Sequence, residues 1–422
     1  MLYFLHIPKT AGTSFRAFLD NHYHSYRHYP GSVLGELAQE KREALNRYEL
    51  FSGHFGWFLH GLVSKKVTTI TMLRDPIART LSQYKHIKRG PEFAEFYRWY
   101  KDLNLSEFLE NADRIFLPLF LNAQTSALAL DEADNEYSEL NCKAVDDIFA
   151  LLTDESLLRK AMHRLEQLAF VGIVEDFERS MECLCDIFGW LRPSPTSYHM
   201  NVAPDHELAN SYSLLDLRMV NDFNGLDNKL YIRGCELFND LYASMLAKGD
   251  EANYRSKMKA RRRHKVLHLG FEKPLIGFGW YGREVQPDGS VCRWTGPEVV
   301  SVLDVRLAGR REYEISFCAA AYTEDILLSA RLMVNGCRVA LVIDGLLEHQ
   351  LHHERVFRGV IGEDIVQRNE CYTRLEFSVA ETVCPIELDP SCGDSRRLGI
   401  FVKWIRLDPH LQPLAAPSVG AS

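Results

Sequence analysis

His6-Ile7-Pro8-Lys9-Thr10-Ala11-Gly12-Thr13-Ser14 gathers residue types that can hold an anion. Lys9 brings a point charge on a mobile stem, Gly12 lets a ligand approach the backbone closely, and Thr13 and Ser14 add hydroxyls. Placed between a strand and a helix, such a stretch aims unpaired N–H groups and the positive end of the helix dipole at one point. The order differs from the nucleotide-triphosphatase loop, which closes on Gly-Lys-Ser/Thr; here the Lys precedes the Gly by three positions. An ordinary capped helix start is the alternative reading, so a second anion-binding element has to decide.

Thr69-Ile70-Thr71-Met72-Leu73-Arg74-Asp75-Pro76-Ile77-Ala78-Arg79-Thr80-Leu81-Ser82-Gln83-Tyr84 supplies one. A strand ends at Arg74, Asp75 suits an N-cap and Pro76 the first helical position. Arg74 and Ser82, two turns into the helix, can then face one anion. Ile77, Leu81 and Tyr84 form the stripe expected to be buried, with Arg79, Ser82 and His86 on another side. Between the two elements, His54 sits in Phe51-Ser52-Gly53-His54-Phe55-Gly56-Trp57. Its glycine neighbours suit an open, loop-bounded site, and an imidazole with a reference pKa near ~6.5 can take a proton at neutral pH. His6 and His86 are alternative bases.

Strands alternating with helices would position these groups. Leu2–Ile7, broken by Pro8, reads as a buried strand, followed by a helix from about Thr13 with Phe15, Phe18 and Leu19 inward. Val67–Leu73 and Phe170–Val174 are further buried strands, the latter preceded by the helical period Leu157, Leu158, Ala161, Leu165. Such alternation predicts an α/β fold with a parallel sheet flanked by helices. Beyond a helix at about 227–247 the pattern changes to period two. Tyr313, Ile315 and Phe317 alternate with polar residues, as do Leu375, Phe377 and Val379, and Leu398, Ile400, Val402 and Trp404 fall on one face. Asn335-Gly336 marks a two-residue hairpin and Asp288-Gly289 another turn. The expected organisation is an α/β domain over 1–255, a basic linker at 256–265, an antiparallel β-sandwich over 266–410 and a disordered tail at 411–422.

With 422 residues, 46% hydrophobic and 25% charged, the chain has the composition of a soluble two-domain protein. Its net charge of −8 argues against a nucleic-acid partner. No stretch reaches the ~20 apolar residues of a membrane span. The first residues lack the basic start and cleavage site of a signal peptide, so a cytoplasmic compartment is expected. Cys183-Leu184-Cys185 reads as two buried positions rather than a metal site. The basic run at 257–265 suits either a polyanion or acidic lipid, or a solvated helix end whose cations offset the helix dipole; the second is the simpler.

Taken together, the two elements resemble the PAPS-dependent sulfotransferases (PAPS is 3′-phosphoadenosine 5′-phosphosulfate), in particular the heparan sulfate 2-O- and 6-O-sulfotransferase-like group. H-I-P-K-T-A-G-T-S is similar to that family's 5′-phosphosulfate loop and R-D-P-I-A-R-T-L-S-Q-Y to its 3′-phosphate element. Lys85-His86-Ile87-Lys88-Arg89-Gly90, Leu121-Asn122-Ala123-Gln124-Thr125 and Val171-Gly172-Ile173-Val174-Glu175 extend the likeness, which covers about residues 1–250. The resemblance implies a P-loop-type nucleotide-binding sulfotransferase fold. It implies that Lys9, Thr10, Gly12, Thr13 and Ser14 hold the 5′-phosphosulfate and Arg74 and Ser82 the 3′-phosphate. It also makes His54 the general base, with Lys9 stabilising the leaving group. The 6-O branch usually has Arg after Gln124-Thr125, whereas this chain has Ser126, so the resemblance leaves the acceptor open. The expected reaction is sulfuryl transfer from PAPS to a hydroxyl, chiefly on a glycan, releasing PAP without a metal, in a bacterial cytoplasmic enzyme that is a possible homo-oligomer. The alternatives are a P-loop-like small-molecule kinase with Asp75 on magnesium, and a non-enzymatic glycan-binding protein using the aromatics of Gly277-Phe278-Gly279-Trp280-Tyr281 and Arg293-Trp294, for which a place in the core is the simpler reading.

Overall fold

The computed structural model describes residues 1–89, 103–111, 117–131, 145–192, 212–248, 252–309, 311–344, 353–369, 371–389 and 391–410. They form two compact units that divide between residues 250 and 251. Gly90 and the tail 411–422 lie outside the described residues.

The N-terminal unit is built on a parallel sheet in the order β2-β1-β3-β4, with β1 at Leu2–Leu5, β2 at Leu50–Gly53, β3 at Thr68–Leu73 and β4 at Phe170–Ile173. All residues of β1, β2 and β4 are buried, as a sheet covered on both faces requires. Three of these strands match the expectation; β2 does not, because Ser52 and Gly53 shorten its apolar run to two residues. The register sets Leu5 opposite both Gly53 and Thr71. The carboxyl ends of β1, β2 and β3 therefore align, and the segments leaving them converge on one edge, where ligands of open α/β sheets bind.

Helix α1, Gly12–Asp20, leaves the loop after β1 with Phe15, Phe18 and Leu19 buried. Helix α2, Pro76–Arg89, follows β3, and Asp75 Oδ1 accepts the Ala78 N–H at 2.8 Å, the expected cap. One expectation for α2 fails. Arg79 is wholly buried, and its guanidinium donates to the Leu119 carbonyl at 3.0 Å and to Thr80 Oγ1 at 3.3 Å. A buried charge costs several kcal/mol unless compensated. Backbone acceptors and the nearby Asp227 carboxylate supply the compensation, yet burial still lowers the Arg79 pKa to about 10. Helix α3, Ala123–Ala129, is held through its first turn. Asp227, on helix α4 (Gly225–Lys248), accepts the N–H groups of Gln124 and Thr125 at 3.0 and 2.7 Å. Cys183 and Cys185 lie buried in the helix Phe177–Phe188, where desolvation raises both thiol pKa values.

The C-terminal unit has two antiparallel sheets around one apolar core. The larger is centred on β6 (Tyr313–Ala321), between β8 (His353–Ile361) and β10 (Phe401–Pro409). The smaller is centred on β9 (Thr373–Ser378), between β5 (Val300–Val305) and β7 (Arg331–Val334). Phe317 and Phe377 meet edge to face at 5.2 Å inside the core. Asn335 and Gly336, at φ 46° and 78°, form the expected hairpin turn after β7. Trp404 departs from its expected face. The register of β10 against β6 slips by one residue between Val402 and Trp404, and this bulge turns Trp404 outward while Ile405 and Leu407 point in. Trp280, Tyr281 and Trp294 are buried at 3% exposure, so they are core aromatics and not sugar-stacking surfaces.

This unit begins with helix α5, Ala252–Ala260, so the stretch 256–265 starts inside a helix. The Tyr254 hydroxyl donates to Asp304 Oδ2 at 2.7 Å, and Arg374 pairs with the same carboxylate at 2.8 and 2.9 Å. No described helix is long and apolar enough to cross a membrane.

Candidate active site

The loop after β1 has an unusual backbone. Lys9 and Ala11 hold left-handed conformations, at φ 70° and 58°, which non-glycine residues adopt at a cost of about 1–3 kcal/mol. Alternating conformers of this kind turn successive N–H groups toward one concavity suited to an anion. The Thr10 side chain faces inward: it is fully buried and its hydroxyl donates to the Ile7 carbonyl at 2.9 Å. Its backbone N–H is what remains for a ligand. Thr13 is exposed and Ser14 half-buried at the start of α1.

His54 follows β2 directly and enters the same edge. Its Nδ1 lies 2.7 Å from the His6 carbonyl oxygen. A carbonyl only accepts, so Nδ1 carries the proton and Nε2 of the neutral ring is left as an acceptor. The His6 and His54 rings lie 4.3 Å apart, and His6 also stacks on Phe4 at 5.3 Å. Burial lowers the His54 pKa, partly offset by the bond to His6, with Arg16 lowering it further. His6 falls well below the usual histidine value through burial, then through the charges of His54, Arg16 and Lys9. Gly12 is packed against this pair, for a Cβ built on it would stand 1.7 Å from His6 Nε2.

Arg74 reaches the loop from β3. Its Nη1 donates to the Lys9 carbonyl at 3.1 Å, which brings the two sequence elements into contact. The Gln124 amide clamps the Arg74 main chain, accepting its N–H at 3.0 Å and donating to its carbonyl at 2.9 Å. Glu175, just past β4, accepts the Asp75 N–H at 3.0 Å and the Tyr231 hydroxyl at 2.9 Å. The structure thus brings Lys9, Gly12, His54 and Arg74 to one edge. Ser82 is half-buried on α2, and His86 is exposed on that helix. Asp75 is committed as a cap, which removes the motive for a magnesium ligand there. The sequence motifs single out no role for Arg16, Gln124 or Glu175, which the fold places near His54, Arg74 and Asp75 respectively. Arg16 was legible as the cation one turn past Gly12. The reach of Gln124, 50 residues from Arg74, had no local signal.

A parallel sheet whose strand ends carry a left-handed loop, a tautomer-fixed histidine and several cations is the framework of an anion-handling α/β enzyme. The Sulfotransferase family model matches residues 1–203, a little under half of the chain. Relatives include heparan-sulfate 6-O-sulfotransferase 1-B of Danio rerio, 23% identical over 65% of this chain and 72% of its own length. Heparan-sulfate 6-O-sulfotransferase 2 of Gallus gallus is 26% identical, covering 49% of this chain and 53% of itself. A solved family 35 carbohydrate binding module from Clostridium thermocellum is 12% identical. It covers 35% of this chain and 100% of itself at a TM-score of 0.22, too slight a likeness to assign a role.

Proposed function

We propose that the chain moves a sulfuryl group from PAPS to a hydroxyl of a carbohydrate, with His54 as general base. The observation that carries this reading is the His54–His6 bond: it leaves Nε2 of the neutral ring unprotonated, on the sheet edge that also carries Lys9 and Arg74. In this reading Lys9, Gly12, Thr13 and Ser14, with the backbone N–H of Thr10, hold the 5′-phosphosulfate, and Arg74 and Ser82 take the 3′-phosphate. The acceptor oxygen attacks sulfur in line with the bond to the 5′-phosphate. His54 Nε2 takes the hydroxyl proton as the new S–O bond forms. The old S–O bond breaks and its electron pair stays on the phosphate of PAP, beside Lys9 and the loop N–H groups. Fixed cations balance the leaving group, so the scheme requires no metal.

The test is a thermal shift followed by an acceptor screen. PAP should raise the melting temperature without magnesium, whereas ATP with magnesium should not; the reverse pattern would favour a kinase. Labelled PAPS should then transfer its label to a polysaccharide or oligosaccharide. Arg74→Ala should weaken PAP binding by about tenfold or more, as expected for a hydrogen bond to a charged group worth ~1.5–3 kcal/mol. Unchanged affinity would remove Arg74 from the 3′-phosphate.

The pH dependence has a definite sign. A depressed pKa keeps His54 neutral as pH falls below the ordinary value near ~6.5, so the base stays competent there. The acid limb of kcat/KM, which reports the free enzyme, should therefore lie below that value. A limb at or above it would contradict the assignment of His54.

A further inference from the structure

Seven of the eleven residues 255–265 are Lys or Arg, and no acidic residue falls between Glu251 and Glu272, in a chain whose net charge is −8. Arg255, Lys257, Lys259, Arg261, Arg262, Arg263 and Lys265 are all exposed. Tyr254 and Met258, one turn apart on α5, are buried, so the apolar stripe of the helix is already packed away and its solvent side is cationic.

The simpler explanation, cations offsetting the helix dipole, loses its ground in the structure. The end-of-helix carbonyls of Lys259 and Arg261 accept from Arg306 Nη1, which reaches them from just past the strand Val300–Val305. The run's own side chains are not needed there, and Arg306 adds a further cation. Lys259, Arg261, Arg262, Arg263 and Lys265 form no ion pair among the described residues. Like charges concentrated in this way repel one another and produce a field that gathers anions.

Each sulfuryl transfer turns a neutral hydroxyl into a permanent anion, so a chain modified repeatedly becomes a polyanion. We propose that the exposed basic run 255–265 of the C-terminal unit is a binding site for the sulfated product, a polyanionic polysaccharide, and retains chain already modified. The inference rests on the sulfotransferase reading above. A membrane surface fits less well, because an interfacial helix needs an exposed apolar face and that of α5 is buried. Single-stranded nucleic acid fits less well too, because no aromatic side chain is exposed within the run for bases to stack on.

The test uses the full chain with fluorescent dextran sulfate, unsulfated dextran of equal length, a transfer RNA and phosphatidylserine vesicles. The wild type should bind dextran sulfate and not dextran. The quadruple variant Lys259→Ala/Arg262→Ala/Arg263→Ala/Lys265→Ala should bind it at least about tenfold more weakly, with the slope of log affinity against log salt shallower by about three, as expected when four cations no longer release counterions. PAP should stabilise wild type and variant equally, which checks the fold. Wild-type affinity and slope in the variant would overturn the site, and so would tighter binding of the RNA or the vesicles than of dextran sulfate. Failure of PAP to stabilise the wild type would count against the sulfotransferase reading and leave the dextran sulfate result to judge the site alone.

Discussion

Replacing His54 with alanine should lower kcat for sulfuryl transfer by about 10²–10⁴ while leaving PAP affinity within about twofold. The ring's Nδ1–H is satisfied by the His6 carbonyl at 2.7 Å, so its other nitrogen is the group lost to the reaction. PAP carries neither the sulfuryl group nor the acceptor proton, and the groups assigned to its phosphates stay in place. Single-turnover kinetics alongside PAP titration would separate the two effects. If PAP binding collapsed together with kcat, His54 would be a structural residue. A His54→Gln variant guards against the trivial outcome, because its amide can donate to the same carbonyl without serving as a base.

Gly12→Ala carries the second large effect. The added methyl would stand 1.7, 2.2 and 2.3 Å from three atoms of the His6 ring, far inside van der Waals contact. That ring can leave only by giving up its stacking on Phe4 and its place beside His54. A displacement of about 1 Å in a catalytic group can cost about a hundredfold in rate, and a loss of that order in kcat is expected. The double variant His6→Ala/Gly12→Ala removes the obstructing ring, so it should be no worse than His6→Ala alone. If the double variant were as inactive as the sum of its parts, the ring contact would not be the cause.

What could be read from the sequence follows from how local each signal was. Pro8 and Gly12 punctuate the loop after β1, and Asp75-Pro76 announces α2, so the strand–loop–helix elements proposed to hold the donor were legible. Strand β2 was not, since two apolar residues followed by Ser52 and Gly53 give no period, although this strand delivers His54 beside His6. The burial of Arg79 was hidden because it depends on carbonyls some 40 residues away. Likewise Asp304 and Arg374 lie 70 residues apart, and nothing near either one announces the pair. The face of Trp404 was misjudged because alternation assumes an unbroken ladder, and one extra residue at Lys403 reverses the phase.

The bond from His54 Nδ1 to the carbonyl of His6 ties the base to main chain, not to a side chain that mutation could remove. His6 opens the loop proposed to hold the donor, so under that proposal a shift of the loop on charging with PAPS would reach the imidazole with no intermediary. Donor uptake and the aim of the proposed base would then share one mechanical linkage.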